Sequence, residues 1–375
     1  MAAQKRSTFK NIFFIAGICY AAVYLIACLT PYINPVNFWP LTFLALGFVY
    51  LLAGMIVLFL LSLIIYRKTS WIFLMVLLAG YQNISSVFGF HERKDFIAQK
   101  AEKSLRILSW NVNYFGDCQK KNDAPNSVRR QMFAFIQQSD ADVMCFQDFS
   151  NFIAPWFYAD LDYVRDSLHY PYVYFPIDYV YGKSDKPEQY GATIFSRIPL
   201  SDTGRIRYST NPSSEGVQFA TINFRGQPIK IFNAHLSSMA IHAQNASPRE
   251  YNFLEADSGL LFHSNTFRKL KFFDKIHIDQ AKLIKSEMNK TSIPFFFCSD
   301  LNSVPASYVY QHLRKNLSDA FLTTGFGFGG TYDSISPTLR IDVVLMDQRL
   351  KTVQHHTPHL HLSDHYPNLV DIQLR

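Results

Sequence analysis

The sequence predicts an α/β domain carried behind a membrane anchor, and two observations lead there. The first ninety residues are almost wholly apolar, with no Asp or Glu and only Lys5, Arg6, Lys10, Arg67 and Lys68 as charges. From Leu105 onward, short apolar runs of strand length alternate with amphipathic stretches of helical period, the pattern of strands and helices packed in layers. Charge divides the chain at the same place. All 29 acidic residues lie after Phe90, where the basic residues nearly balance them, so the formal net charge of +7 comes mostly from the flanks of the apolar segment. It is not the footprint of a nucleic-acid-binding face.

Within the anchor (1–90), Asn11–Leu29, Leu41–Tyr66 and Trp71–Phe88 read as three transmembrane helices, since uninterrupted apolar stretches of about 20 residues span a bilayer core. Lys5, Arg6 and Lys10 also resemble the basic start of a signal peptide, and Leu25-Ile-Ala-Cys28 a lipoprotein cleavage box. The length of the run and the spans after it favour a retained anchor. Basic residues flank the N-terminal tail and the second connection, while Thr30–Pro40 has none. That bias places tail and second connection inside and, with three crossings, everything after Phe88 outside. The expected setting is a bacterial inner membrane with the following domain extracytoplasmic. Arg93, Lys94, Lys100 and Lys103 count against this orientation. Residues 91–104 are charged and read as a linker, either irregular or a helical extension of the third span.

The domain (105–375) is taken in order. Leu105–Asn111 is a strand and Ser127–Gln138 a helix, with Val128, Met132, Phe135 and Ile136 on one face. Ala141–Asp148 is a strand too apolar to lie at a surface. Tyr172–Ile177 and Gly191–Ser196 are further strands. Phe219–Phe224 and Ile229–Ala234 form a hairpin around Gly226. Ser237–Lys269 lacks periodicity and reads as a long loop or insertion, a lid or a membrane-facing element. Leu270–Met288 is helical, and Pro294–Cys298, Ile341–Met346 and Asn368–Leu374 are strands. The five cysteines have no Cys-x-x-Cys spacing, which argues against zinc ribbons and redox motifs. His355-His-Thr-Pro-His-Leu-His361 is dense enough to raise transition-metal binding, but a solvated loop or edge strand explains it better.

Polar residues recur at one kind of place, the ends of apolar strands and the turns after them: Asn111, Asp148, His235, Asp300, Asn302, Asp342, Asp364 and His365. Strand ends at one edge of a sheet are where functional side chains converge. Singly, each is an ordinary cap or turn residue. Together they offer carboxylates, amides and imidazoles with no Ser or Cys nucleophile among them. That inventory suits a hard, oxygen-ligated cation such as magnesium or manganese. It also suits phosphoryl chemistry, which needs charge neutralisation and a positioned water more than covalent help.

Ser-Trp-Asn-Val-Asn113, Asp-Val-Met-Cys-Phe-Gln-Asp148, Tyr-Gly-Ala-Thr-Ile-Phe-Ser-Arg-Ile-Pro199, Asn-Ala-His-Leu236, Ser-Asp-Leu-Asn302, Leu-Arg-Ile-Asp-Val-Val-Leu345 and Ser-Asp-His365 follow the motif order of the endonuclease/exonuclease/phosphatase superfamily. The chain resembles that family from about Leu105 to its end. The resemblance implies a four-layered α/β sandwich, two packed mixed sheets flanked by helices. It implies that Asn111, Asp148 and Asp364 surround a divalent metal, magnesium with manganese as an alternative. His365, oriented by Asp342, would act as general base or stabilise charge on the phosphorus. Asp300 would orient the attacking water, Asn302 would hydrogen-bond the phosphate, and His235 would donate to a non-bridging oxygen. Two departures stand out: Gln147-Asp148 where the family usually has Gln-Glu, and Ser299 where it usually has Gly.

The expectation is a membrane-anchored, metal-dependent phosphoesterase acting on a phosphodiester or phosphomonoester at the lipid bilayer, with lipid-linked or periplasmic substrates favoured by the anchor. A nuclease acting on DNA or RNA and a catalytically inactive membrane scaffold are the alternatives. The near-neutral domain weighs against the first, and the retained polar set against the second.

Overall fold

The computed structural model describes residues 2–92, 94–116, 127–153, 159–182, 187–238, 264–333 and 336–375. It divides into two compact units, Met1–Phe88 with Met239–Ile278 and Val304–His312, and Gly89–Ser238 with Asp279–Ser303 and Leu313–Arg375.

The first unit is helical. Helix α1 (Ala2–Ala27) and helix α2 (Phe48–Ile65) each hold a stretch long and apolar enough to cross a membrane, Thr8–Ala27 and Phe48–Ile65. The second expected span begins late, because Gly47 separates α2 from the single helical turn Leu41–Leu46. The third expected span is not one straight helix: it bends by 55° between Arg67–Ala79 and Tyr81–Val87. The break falls at Gly80, glycine being a common site of helix kinks, and the later part is polar. Asn83 and Ser86 are buried there, and Asn83 donates to Ala27 O at 3.3 Å. Close helix contacts rest on glycine: a Cβ at Gly54 or Gly80 would come within 2.0 Å of the Tyr20 or Tyr24 hydroxyl. Small residues permit such approach between apolar helices, and the two tyrosines donate to Leu51 O and Leu77 O.

In the second unit the strands of the two large sheets are β1 (Leu105–Asn111), β2 (Val143–Phe152), β3 (Tyr172–Tyr174), β4 (Tyr179–Tyr181), β5 (Glu188–Ser196), β6 (Leu200–Arg207), β7 (Gly216–Phe224), β8 (Gln227–His235), β9 (Phe295–Asp300), β10 (Ser318–Asp319), β11 (Asp342–Met346), β12 (Leu350–His356) and β13 (Asn368–Leu374). One sheet has the order β12-β13-β1-β2-β5-β3, with β4 also on β5; the other has β10-β11-β9-β8-β7-β6. Both are mixed. The β1/β2 and β8/β9 pairs are parallel and their neighbours antiparallel. Helix α3 (Val128–Ser139) and, of helix α4 (Ser264–Lys290), the part from Asp279 on supply the helices of this unit's α/β layering.

Successive side chains of a strand point to opposite faces, so a strand packed on both sides must be apolar throughout. In β1, Leu105 and Ile107 enter the core between the sheets, where Ile231, Phe296 and Val344 of the other sheet meet them. Leu108 and Trp110 face the opposite way, into a second core with Met132, Phe133 and Ile136 of α3. β2 repeats the arrangement with Val143 and Cys145 against Met144 and Phe146.

The linker is not helical among its described residues. It is held by Arg106, which is 1% exposed and donates to Ala98 O, Ser139 O and both oxygens of Asp371 (2.6 and 2.9 Å). Removing one partner of such a buried pair strands the other charge in a low-dielectric interior. Asp371→Ala is therefore expected to cost about 3–5 kcal/mol, measured as a lowered thermal midpoint of the detergent-solubilised chain, with Asp166→Ala at an exposed ion pair as the neutral control.

Candidate active site

Register brings the polar strand ends together. Asp300, the last residue of β9, lies opposite His235 at the end of parallel β8 and opposite Asp342 at the start of antiparallel β11. One edge of one sheet thus presents a carboxylate flanked by an imidazole and a second carboxylate. His365 completes the group from the loop before β13. Its Nδ1 donates to Asp342 at 3.0 Å, its backbone oxygen accepts from Trp110 Nε1 at 2.9 Å, and the Tyr332 ring lies 4.8 Å from its own.

Asp300 is the centre. It is fully buried. Its Oδ1 accepts from Asn302 N at 2.9 Å and its Oδ2 from Asn111 Nδ2 at 3.0 Å. That same Oδ2 faces His235 Nε2 and His365 Nε2, each at 3.6 Å. The Asn302 side chain spans Leu236 O (2.8 Å) and His235 Nε2 (3.2 Å).

Asp148 arrives by a different device. The pairing of β2 with β5 shifts register between Phe146 and Phe149, and Asp148 sits in this bulge at φ 46°. Aspartate accepts left-handed backbone more readily than most residues, and a bulge re-aims the side chain it carries. Asp148 accepts from Asn111 Nδ2 (3.1 Å) and Tyr114 Oη (3.2 Å) and lies 3.4 Å from His235 Nδ1. Asp364 is tied to the same edge by Asn113 Nδ2 (3.1 Å) and Ser363 Oγ (3.2 Å), whose hydroxyl also reaches Asn111 O. All eight sequence-derived candidates therefore converge on one end of the sandwich.

Two participants had escaped sequence reading. Glu215 contacts His235 Nδ1 at 3.1 Å. It precedes β7, whose antiparallel pairing with β8 brings a strand start beside a strand end, so a search confined to strand ends passes over it. Tyr114 belongs to a turn with Asn113 and Phe115 in which all three have positive φ; nothing in its residue type signals this.

Electrostatics follow from the crowding of carboxylates. Burial disfavours charge on His365, but Asp342 and Asp300 outweigh it and push its pKa up to about 10. His235 is likewise raised well above its ordinary value, burial being overcome by Asp148, Glu215 and Asp300. Burial raises Asp342 to about 6, with Asp300 adding to the rise and His365 opposing it. Two sets offer one ligand atom each, all within 4.8 Å of one another: Asp148, Glu215 and His235, and Asp300, Asp342 and His365. Asp148 and Glu215, with Asn111 beside Asp148, offer oxygen donors that fit a hard divalent cation, whereas Asp364 belongs to neither set among the described residues.

The histidine run forms no such set among the described residues. His355 is half-buried and meets Asn368 at 2.9 Å, on edge strand β12. His356 stacks on Phe96, His359 on Tyr366, and His361 pairs with Asp333. Ser237–Lys269 lies mostly outside the described residues, as does Cys118.

A group whose folded pKa is raised stabilises the fold fully below its unfolded value, about 6.5 for His, and loses that contribution as pH rises through the folded value. In chelator, the thermal midpoint is expected to fall from neutral pH to above pH 10, and His365→Gln to flatten that fall. The window lies above the titration of Asp342.

Comparison with known proteins bears on the family and the fold. The Endonuclease/Exonuclease/phosphatase family matches residues 108–365, and a domain of unknown function matches residues 10–87. No curated protein matches the chain. Among solved structures, an endonuclease/exonuclease/phosphatase family protein from Leptotrichia buccalis is similar at 14% identity and TM-score 0.50, over 72% of this chain and 100% of that one. A family member from Beutenbergia cavernae is similar at 16% identity and TM-score 0.49, over 73% and 72%. A mannosyl-6-phosphatase from Bacteroides thetaiotaomicron is similar at 14% identity and TM-score 0.47, over 72% and 99%. These likenesses concern the fold. With the family's pattern matched across most of the domain, on a two-sheet sandwich whose polar residues meet at one edge, the chain belongs to the endonuclease/exonuclease/phosphatase family.

Proposed function

We propose that this chain is a membrane-anchored, divalent-cation-dependent phosphoesterase that hydrolyses its substrate by attack of water. The carrying observation is the convergence on Asp300 Oδ2 of two imidazole Nε2 atoms, each at 3.6 Å. That spacing is too long for a direct hydrogen bond. With Nδ1 of each ring held, by Glu215 and by Asp342, that spacing lets a phosphoryl oxygen share the Nε2 side of the imidazoles, while Asp300 keeps an acceptor for a water proton.

Each residue has a role in this reading. Asp300 orients the water and takes up its proton. Asn302 and His235 hold the non-bridging oxygens. His365 is charged at neutral pH in the metal-free protein. It therefore serves better as a fixed positive charge, or as a proton donor to the leaving oxygen, than as the base. Asp342 holds its ring, and is itself held by Thr331 Oγ1, which accepts from Asp342 N at 3.0 Å. Asn111, Asp148 and Asp364 would hold the cation. When bound, a divalent cation polarises a phosphoryl oxygen and offsets charge developing on it.

The two helices long and apolar enough to cross a membrane support an anchor. The bias of Lys and Arg supports an extracytoplasmic domain if the bent pair counts as a third span. A phosphatase reporter fused after Arg375 is expected to be active; a silent fusion alongside an active cytoplasmic reporter would reverse the orientation. Lipid-linked or other extracytoplasmic phosphoesters are the favoured substrates, since the balanced charge of the domain offers little to the salt-dependent binding that nucleic acid demands.

Purified chain offered phospholipid, sugar phosphate, plasmid DNA and RNA side by side, with and without magnesium, tests the reading. Magnesium-dependent hydrolysis of a non-nucleic substrate is expected. Asp300→Asn is expected to lower kcat by about 10²–10⁴ with little change in fold. Cleavage of nucleic acid alone would make the protein a nuclease. No hydrolysis of any substrate by well-folded protein would leave a scaffold.

A further inference from the structure

The bulge at Asp148 and the turn at Tyr114 belong to one device. Asn113, Tyr114 and Phe115 follow the end of β1 with φ of 40, 55 and 57°. Left-handed backbone costs roughly 1–2 kcal/mol per residue for side chains other than Gly, Asn and Asp. A turn that spends this on a tyrosine and a phenylalanine has to be held from outside. Phe115 supplies one hold: it is 1% exposed and packs among Phe133, Phe146 and Phe149. Tyr114 supplies the other. Its ring meets Tyr190 edge-on at 5.3 Å, and Tyr190 stacks on Tyr179 at 4.8 Å. The ring is locked, and its hydroxyl ends 3.2 Å from Asp148 Oδ1.

Asp148 is thereby gripped from two sides, Oδ1 by Tyr114 and Oδ2 by Asn111 Nδ2 at 3.1 Å. Both donors are neutral and orient the carboxylate, whose Oδ1 also lies 3.4 Å from His235 Nδ1. We propose that Tyr114 is a positioning residue for the cation site: its hydroxyl fixes the short Asp148 side chain in the orientation that binds the cation. The hydroxyl stands where a longer carboxylate would reach. One more methylene extends a side chain by about 1.5 Å, which would drive a glutamate at position 148 into the Tyr114 oxygen. Asp at 148 and Tyr at 114 are matched as a pair. The inference rests on the metal-dependent reading and adds to it a residue outside the ligand set.

Binding of Mn2+ to the full-length protein in detergent, followed by calorimetry and by the electron-spin signal of the free ion, tests this independently of turnover. Orienting partners of metal ligands typically govern affinity by about 10–100-fold, and Tyr114→Phe is expected to weaken Mn2+ binding within that range. Asp148→Glu is expected to weaken it as well. The double variant Asp148→Glu with Tyr114→Phe is expected to bind more tightly than Asp148→Glu alone, because the freed space admits the longer side chain. Such a non-additive recovery is not produced by general loosening of the fold. Tyr114→Phe binding as wild type does, or two losses that simply add in the double variant, would overturn the pairing. Wild-type protein that binds no Mn2+ would overturn the metal reading along with it, so the two failures are distinguishable.

Discussion

A carboxylate taken out of water needs partners, and Asp300 is fully buried at the edge where both sheets contribute polar side chains. An isolated buried carboxylate would be neutralised by protonation. Here a backbone N–H, the Asn111 amide and two imidazoles surround it. Those partners come from distant parts of the chain, the end of β1, the end of β8 and the loop before β13. The requirement to satisfy one charge therefore couples the two sheets at their functional edge. The same crowding raises His235 and His365, so the site holds positive charge exactly where anionic carboxylates alone would repel a phosphoryl group.

The scaffold around this edge is stiff for reasons that have little to do with chemistry. Strands β1 and β2 are packed on both faces, one face into the core between the sheets and the other against α3. Gln147, beside Asp148, is fully buried and donates to Asn233 of the other sheet at 2.7 Å. Asn233 in turn donates to Phe146 O and Thr193 O. This buried amide pair cross-links the sheets at the bulge itself. Catalytic geometry is thus borrowed from packing, and the departures from regular backbone at Asp148, Asn302 and the 113–115 turn are confined to the edge, where strained conformations tend to collect.

Much of this was legible without coordinates. β1 and β13 were read with the bounds that the structure has, since each is a run of strand length whose large apolar residues recur on both faces. Leu200–Arg207 was not read as a strand: it lies at a sheet edge and carries exposed polar residues, so no apolar alternation marks it. Tyr179–Tyr181 is too short to announce itself. The expected third span looked continuous by hydropathy, and its bend falls at Gly80, a single residue that a windowed average dilutes.

Residue types in order determined the family, the apolar N-terminal segment and the eight polar candidates, because motif order and apolar period are properties of the chain itself. Only the tertiary structure decided which atoms meet. That Asp300 lies between two imidazoles follows from the register of β8, β9 and β11. The parts of Glu215 and Tyr114 follow from an antiparallel pairing and a left-handed turn. Neither residue carries a signal of its own, since each acquires its role from a neighbour far away in sequence.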